Sequence, residues 1–170
     1  MNTTRPHRLA RSTAATGVTG LVLLAMASGP AHADDSHRHT LLRADLVGSM
    51  PAPASPTIAG VKPGGAPWVN GPSMVQVRPD GRITVTITGL VIPPPVGVGA
   101  NPIASVVATL VCDDTVRAST APFALSGTGD GATSDRIAVR GRCTDPTVLI
   151  QPAANRSVYI ASAMGDEEDD

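Results

Sequence analysis

Residues 73–92, SMVQVRPDGRITVTITGLVI, alternate apolar and polar side chains on both sides of a Pro-Asp-Gly turn. A period of two gathers Val75 and Val77 on one face of the first run and Ile83, Val85 and Ile87 on one face of the second. A helix would scatter the same residues around its circumference. The stretch is therefore committed to a β-hairpin with one buried face and a short Gly-containing loop. Runs of the same character follow one another between prolines and glycines: TLLRADLV (40–47), TIAGV (57–61), IASVVATLVC (103–112), APFALS (121–126), DRIAVRGRC (135–143), TVLIQ (147–151) and RSVYIASAM (156–164). Helical periodicity is almost absent. With the hairpin these runs make about nine short strands, and the fold class expected is all-β, an antiparallel β-sandwich that is immunoglobulin-like in the broad sense. A jelly roll or a partly open barrel is the alternative.

Cys112 and Cys143 are the only cysteines. In IASVVATLVC the residues Ala104, Val106, Ala108, Leu110 and Cys112 share one face, and in DRIAVRGRC so do Ile137, Val139, Gly141 and Cys143. Both sulfurs thus point the way the core residues point. A disulfide between them is expected in an oxidising compartment, and no CxxC pair suggests a redox or metal role. The Trp-on-Cys arrangement of antibody domains is absent, because Trp68 precedes both cysteines.

The N-terminus points to that compartment. MNTTRPHRLAR carries three arginines and no acid, GVTGLVLLAMA is an apolar run, and SGPAHA ends in small residues at Ala31 and Ala33. This is the three-part pattern of a secretory signal peptide, with cleavage expected after Ala33. The apolar run is well short of the roughly 18–20 residues that span a bilayer. The expected organisation is a signal peptide over 1–33, a flexible leader over 34–40, one β-sandwich domain over 41–165 and an acidic disordered tail over 166–170. The expected location is secreted and extracellular, with no membrane span in the mature chain.

All 14 acidic residues follow Ala33, five of them in the closing run DEEDD, and the formal net charge of the whole chain is −1. Neither a nucleic-acid surface nor a strongly acidic solvating protein is indicated. The catalytic inventory is sparse. His37 and His39 are the only histidines after Ala33, and both lie in the leader DDSHRH. The body of the domain therefore lacks the histidine base of a serine triad. Glutamate occurs only as Glu167 and Glu168, so a carboxylate pair would have to come from Asp113, Asp114, Asp130 or Asp135, each read as a turn residue. The segment GTGDGATSD (127–135) lacks oxygen ligands at Ala132 and a closing glutamate, and is read as a flexible hairpin loop rather than a calcium loop. No catalytic residue, metal site or cofactor is expected.

Two features suggest contact with a partner. Arg136, Arg140 and Arg142 alternate with the apolar residues of DRIAVRGRC and would form a basic row on one outer strand face, able to meet an anionic cell-wall polymer or to keep an exposed strand from pairing with other chains. The segment PASPTIAGVKPGGAPWVNGP (53–72) holds the single lysine, Lys62, and the single tryptophan, Trp68. It reads as a stiffened surface loop between strands, with Trp68 either capping the open end of the sandwich or reaching a ligand. Phe123 and Tyr159 fall within strands and read as core.

LLRADLVGSMPAPASPTIAGVKPGGAPW, VRPDGRITVTITGL and VLIQPAANRSVYIASAM together resemble a group of small secreted actinobacterial proteins with no assigned activity. The leading strand, Pro-rich loop and hairpin are also similar to the chordin-type (CHRD) domain, a secreted β-fold, over about a third of the chain. The chain departs from that domain where GVGANPIASVV replaces a histidine-containing motif. The function expected is that of a secreted non-enzymatic β-sandwich acting by binding, or as a structural extracellular or cell-wall-associated component. The alternative is a secreted enzyme or enzyme inhibitor with a loop-built site that uses aspartates. The partners in question are an anionic cell-wall polymer or another extracellular protein, not nucleic acid.

Overall fold

The computed structural model describes residues 40–165, which form twelve strands and no helix. In chain order they are β1 (Leu42–Asp45), β2 (Val47–Gly48), β3 (Lys62–Pro63), β4 (Met74–Val77), β5 (Arg82–Ile87), β6 (Ser105–Cys112), β7 (Thr115–Ser119), β8 (Phe123–Ala124), β9 (Gly131–Arg136), β10 (Pro146–Pro152), β11 (Val158–Tyr159) and β12 (Ala161–Met164). A four-stranded sheet runs β1-β4-β5-β9, and a six-stranded sheet runs β2-β12-β10-β6-β7 with β8 also paired to β6. All pairings in these two sheets are antiparallel; only the small β3–β11 pair is parallel. The antiparallel sandwich expected from the alternation is the fold observed. The proposed signal peptide, nearly all of the leader and the acidic tail lie outside the described residues.

The hairpin forms as its pattern requires. Val75 faces Val85 and Val77 faces Ile83 in register, and all four are fully buried, whereas Arg82, Thr84 and Thr86 are exposed. Its turn needs a glycine, since Gly81 has φ 83° and a Cβ there would run into the Ile137 carbonyl. From the facing sheet, Val106, Ala108, Leu110, Val148 and Ile150 complete one apolar core with these residues.

β6 and β10 are buried along nearly their whole length, which a strand with one solvent face cannot be. Their outer-facing Val111 and Leu149 pack with Val61 and Tyr159 into a second, smaller core, against which Ile58 and Ala59 rest. The Pro-rich segment is thus a cover over the six-stranded sheet. TIAGV, expected as a strand, is a two-residue turn in which Ile58 and Val61 exchange both backbone hydrogen bonds. Ala59 and Gly60 at its tip have φ 48° and 77°, the left-handed pair of a type I′ turn. Trp68, at the far end of the segment, belongs to the main core and is 5% exposed.

One expected strand is displaced and one observed strand falls outside the expected runs. The segment 127–135 contains most of β9, which ends at Arg136, so DRIAVRGRC is largely irregular. The half-buried positions of β9 are Gly131, Thr133 and Asp135, too small and polar for an apolar period to show. Ile137, Val139 and Cys143 nevertheless pack against the main core as expected. β7 was not anticipated. It returns from β6 through Asp113 and Asp114, both at φ 53°, a conformation that aspartate tolerates better than most residues.

Candidate functional site

The chain leaves the four-stranded sheet at Asp45 and joins the six-stranded sheet at Val47, with buried Leu46 as the pivot. Asn70 holds this switch in place. Its Oδ1 accepts the Gly48 N–H at 2.7 Å, and its Nδ2 donates to the Leu46 carbonyl at 2.8 Å. Beside the switch lies a cleft of about 440 Å³ lined by Asp45, Val47, Ser55, Pro56, Tyr159 and Met164, among others. A second cleft of about 490 Å³ includes Ile58, Asp114, Asp145 and Thr147 and shares Pro56 and Met164 with the first. The two adjoin as one groove along the Pro-rich loop.

The groove mixes apolar surface with carboxylates. Val47 is 63% exposed and Met164 47% exposed, although both sit on paired strands. Asp45, Asp114 and Asp145 are exposed, and no lysine or arginine lines either cleft. Asp114 is tied to the loop by accepting the Ala59 N–H. Neither Asp45 nor Asp145 meets an ion-pair partner among the described residues. The Tyr159 hydroxyl donates to the Pro56 carbonyl at 2.6 Å, and burial pushes that phenol above its ordinary range.

The aspartates singled out from the sequence do not converge. Asp113 accepts hydrogen bonds from the Thr144 hydroxyl and from Arg117, and these hold its carboxyl below the usual range. Asp130 is held down by the Thr128 hydroxyl and the Gly89 N–H. Asp135 is held down by the Ala121 and Arg136 N–H groups. Each ties its own segment to a distant one, Asp113 to Thr144, Asp130 to Gly89 and Asp135 to Ala121, and Asp135, expected as a turn residue, lies within β9. Asp114 lines the second of the two clefts, where its neighbour is Asp145, a residue the sequence pattern does not single out.

The other binding candidates separate. Trp68 is core, which supports its reading as a residue covering the sandwich interior and removes it from the candidate contact surface. The arginine row is corrected. Arg136 ends β9 and pairs with Asp80 at 3.3 Å, while Arg140 and Arg142 lie beyond the strand in the irregular segment leading to β10. The three therefore share no strand face, although all are exposed. Lys62 is exposed on β3, with its backbone N–H bonded to the Ser157 carbonyl.

Cys112 and Cys143 form the expected disulfide. It ties the end of β6 to the segment between β9 and β10, and so braces the region that carries Asp145. Among the described residues, no group of three or more His, Cys, Asp or Glu side chains is placed to hold a metal ion; His37 and His39 lie outside them. No helix among the described residues is long and apolar enough to cross a membrane. No family model, curated protein or solved structure matches the chain.

Proposed function

We propose that this chain is a secreted, non-enzymatic β-sandwich that acts by binding outside the cell, with the groove along the Pro-rich loop as its contact surface. Export rests on the three-part pattern ending at Ala33, and the disulfide is compatible with an oxidising compartment. The observation that carries the reading is the contrast among the carboxylates. Asp113, Asp130 and Asp135 are each consumed in hydrogen bonds that tie one segment of the domain to another, whereas Asp45 and Asp145 have no ion-pair partner among the described residues and line clefts that include exposed Val47 and Met164. Exposed apolar side chains beside unpaired charge suit a contact surface.

The second reading, a secreted hydrolase using aspartates, is favoured by one feature, the presence of Asp114 and Asp145 in one cleft. Co-sedimentation of Asp34–Asp170 with purified cell-wall material and with the protein fraction of spent medium, alongside assays on ester, glycoside and phosphate substrates, separates the two. Retention without turnover is expected. Turnover that Asp114→Asn and Asp145→Asn abolish while the fold persists would establish the enzyme instead, and retention by neither fraction would remove binding as the role.

A further inference from the structure

Resting on the reading of this groove as a contact surface, we infer that its occupant is an extended, cationic and partly apolar polypeptide segment of another extracellular protein. Three carboxylates, Asp45, Asp114 and Asp145, line the two clefts, and none of the described residues lining them is a lysine or arginine. That field attracts lysine and arginine and repels an anionic wall polymer. The apolar part of the lining, with Val47, Pro56, Ile58 and Met164, calls for apolar side chains between the charges. A polyamine or a bare cation would leave that surface unmatched, and an extended segment alternating basic and apolar residues satisfies both.

Recognition would run through side chains rather than through an added strand. β2 is the edge of its sheet, but the Gly48 N–H is already taken by Asn70 Oδ1, so the edge offers no open amide there for β-augmentation. The loop contributes Pro56 to both clefts, and the Tyr159 hydroxyl holds that residue by its carbonyl. The wall of the groove is thus anchored before any partner arrives, which lowers the ordering cost of binding.

The test is calorimetric titration and amide-shift mapping of Asp34–Asp170 with a short synthetic peptide alternating arginine and valine, against the same peptide with glutamate for arginine. The expected result is saturable binding of the basic peptide only, weakened by salt, with shifts at Val47, Ser162, Met164 and Asp145. The Asp45→Asn/Asp145→Asn variant, which removes two exposed charges without ion-pair partners, should keep its melting temperature and bind about tenfold more weakly. No binding, undiminished binding by this variant, or shifts mapped elsewhere would overturn the inference. Self-association of the chain through the same residues would replace the foreign segment with a second copy and overturn it too. Retention in the co-sedimentation experiment alongside failure of the peptide would leave the binding role standing and remove only this occupant.

Discussion

The Tyr159 hydroxyl donates a 2.6 Å hydrogen bond to the carbonyl of Pro56, 103 residues earlier in the chain. Tyr159 is almost fully buried in the second core, while Pro56 is exposed and forms part of both clefts. This bond joins the Ala59 N–H bond to Asp114 and the β3–β11 pairing in fastening the cover to the sheet. Tyr159→Phe keeps the ring and removes this one tie. Because water can reach the freed carbonyl, the global cost should be only about 0.5–1.5 kcal/mol. The sharper effect is local: amide exchange across 57–61 should accelerate while that of β5 and β6 does not. Equal acceleration everywhere would mean that the bond stabilises the whole domain rather than the loop.

Trp68 is the only tryptophan, so its fluorescence reports on one place. At 5% exposure its emission should be blue-shifted and poorly quenched by acrylamide in the native state, and addition of the basic peptide should leave it unchanged. Trp68→Ala removes a large ring from the main core and should cost about 3–5 kcal/mol in urea unfolding. A red-shifted, freely quenched native emission would place the ring in solvent and restore it as a contact residue.

Gly48 lies so close to the Trp68 backbone that a Cβ would collide with its carbonyl. The obstacle is main chain, held by the Trp68 N–H bond to the Ser49 carbonyl at 2.8 Å, and cannot rotate away. Gly48→Ala should therefore destabilise by about 1–3 kcal/mol. Gly65→Ala, where a Cβ meets nothing, should be close to neutral. Equal effects of the two would show that the approach of Gly48 to Trp68 is not tight in solution.

These contrasts mark what the chain reveals before it folds. The hairpin was legible because Val75, Val77, Ile83, Val85 and Ile87 alternate strictly with polar residues, and the disulfide because both cysteines share phase with apolar neighbours. β9 was not legible, since Gly131, Thr133 and Asp135 on its half-buried face carry no hydrophobic signal. The burial of Val111 and Leu149 was likewise hidden, because a strand covered on both faces loses the alternation that identifies a strand covered on one. For the groove, Asp114 was noticed only as a turn residue. Asp45 and Asp145 are separated by most of the domain in sequence, and their clefts meet only through Pro56 of the loop and Met164 of β12. The segment 53–72 announced itself by its prolines and glycines, but not that it would cover one sheet at Val61 and enter the core at Trp68.

Acid should unfold the domain through its ordered carboxylates. Asp80, Asp113, Asp130 and Asp135 all titrate below their ordinary value of 3.8 in the folded chain. The leading causes are hydrogen bonds from the Arg82 N–H, the Thr144 hydroxyl, the Thr128 hydroxyl and the Ala121 N–H respectively. For groups depressed on folding, the contribution is fully present above the unfolded value and is lost as pH falls through the folded values. No histidine lies within residues 40–165. Melting temperature should accordingly be flat from about pH 8 to pH 5 and drop below about pH 4. Asp135→Asn should blunt that drop. A decline centred between pH 5 and 7 would contradict the assignment, since nothing in the described domain ordinarily titrates there.

The disulfide supports more than overall stability, because of where its second sulfur sits. Cys112 ends β6 and is 1% exposed, while Cys143 lies in the irregular segment between β9 and β10 with exposed Arg140, Arg142 and Asp145 around it. The bridge spans a sequence separation of 31, for which the chain-entropy model gives about 3–4 kcal/mol. Cys112→Ala/Cys143→Ala should lower stability by that order and leave the hairpin and both sheets intact, since their registers do not pass through either sulfur. Locally, the segment from Arg136 to Asp145 would lose its tether to the core. Limited trypsin digestion should then cut after Arg140 and Arg142 in the variant and spare the oxidised protein. Equal resistance of the two proteins at these arginines would show that Ile137 and Val139, packed against the core, suffice to hold the segment, and the bridge would then act on the unfolded chain alone.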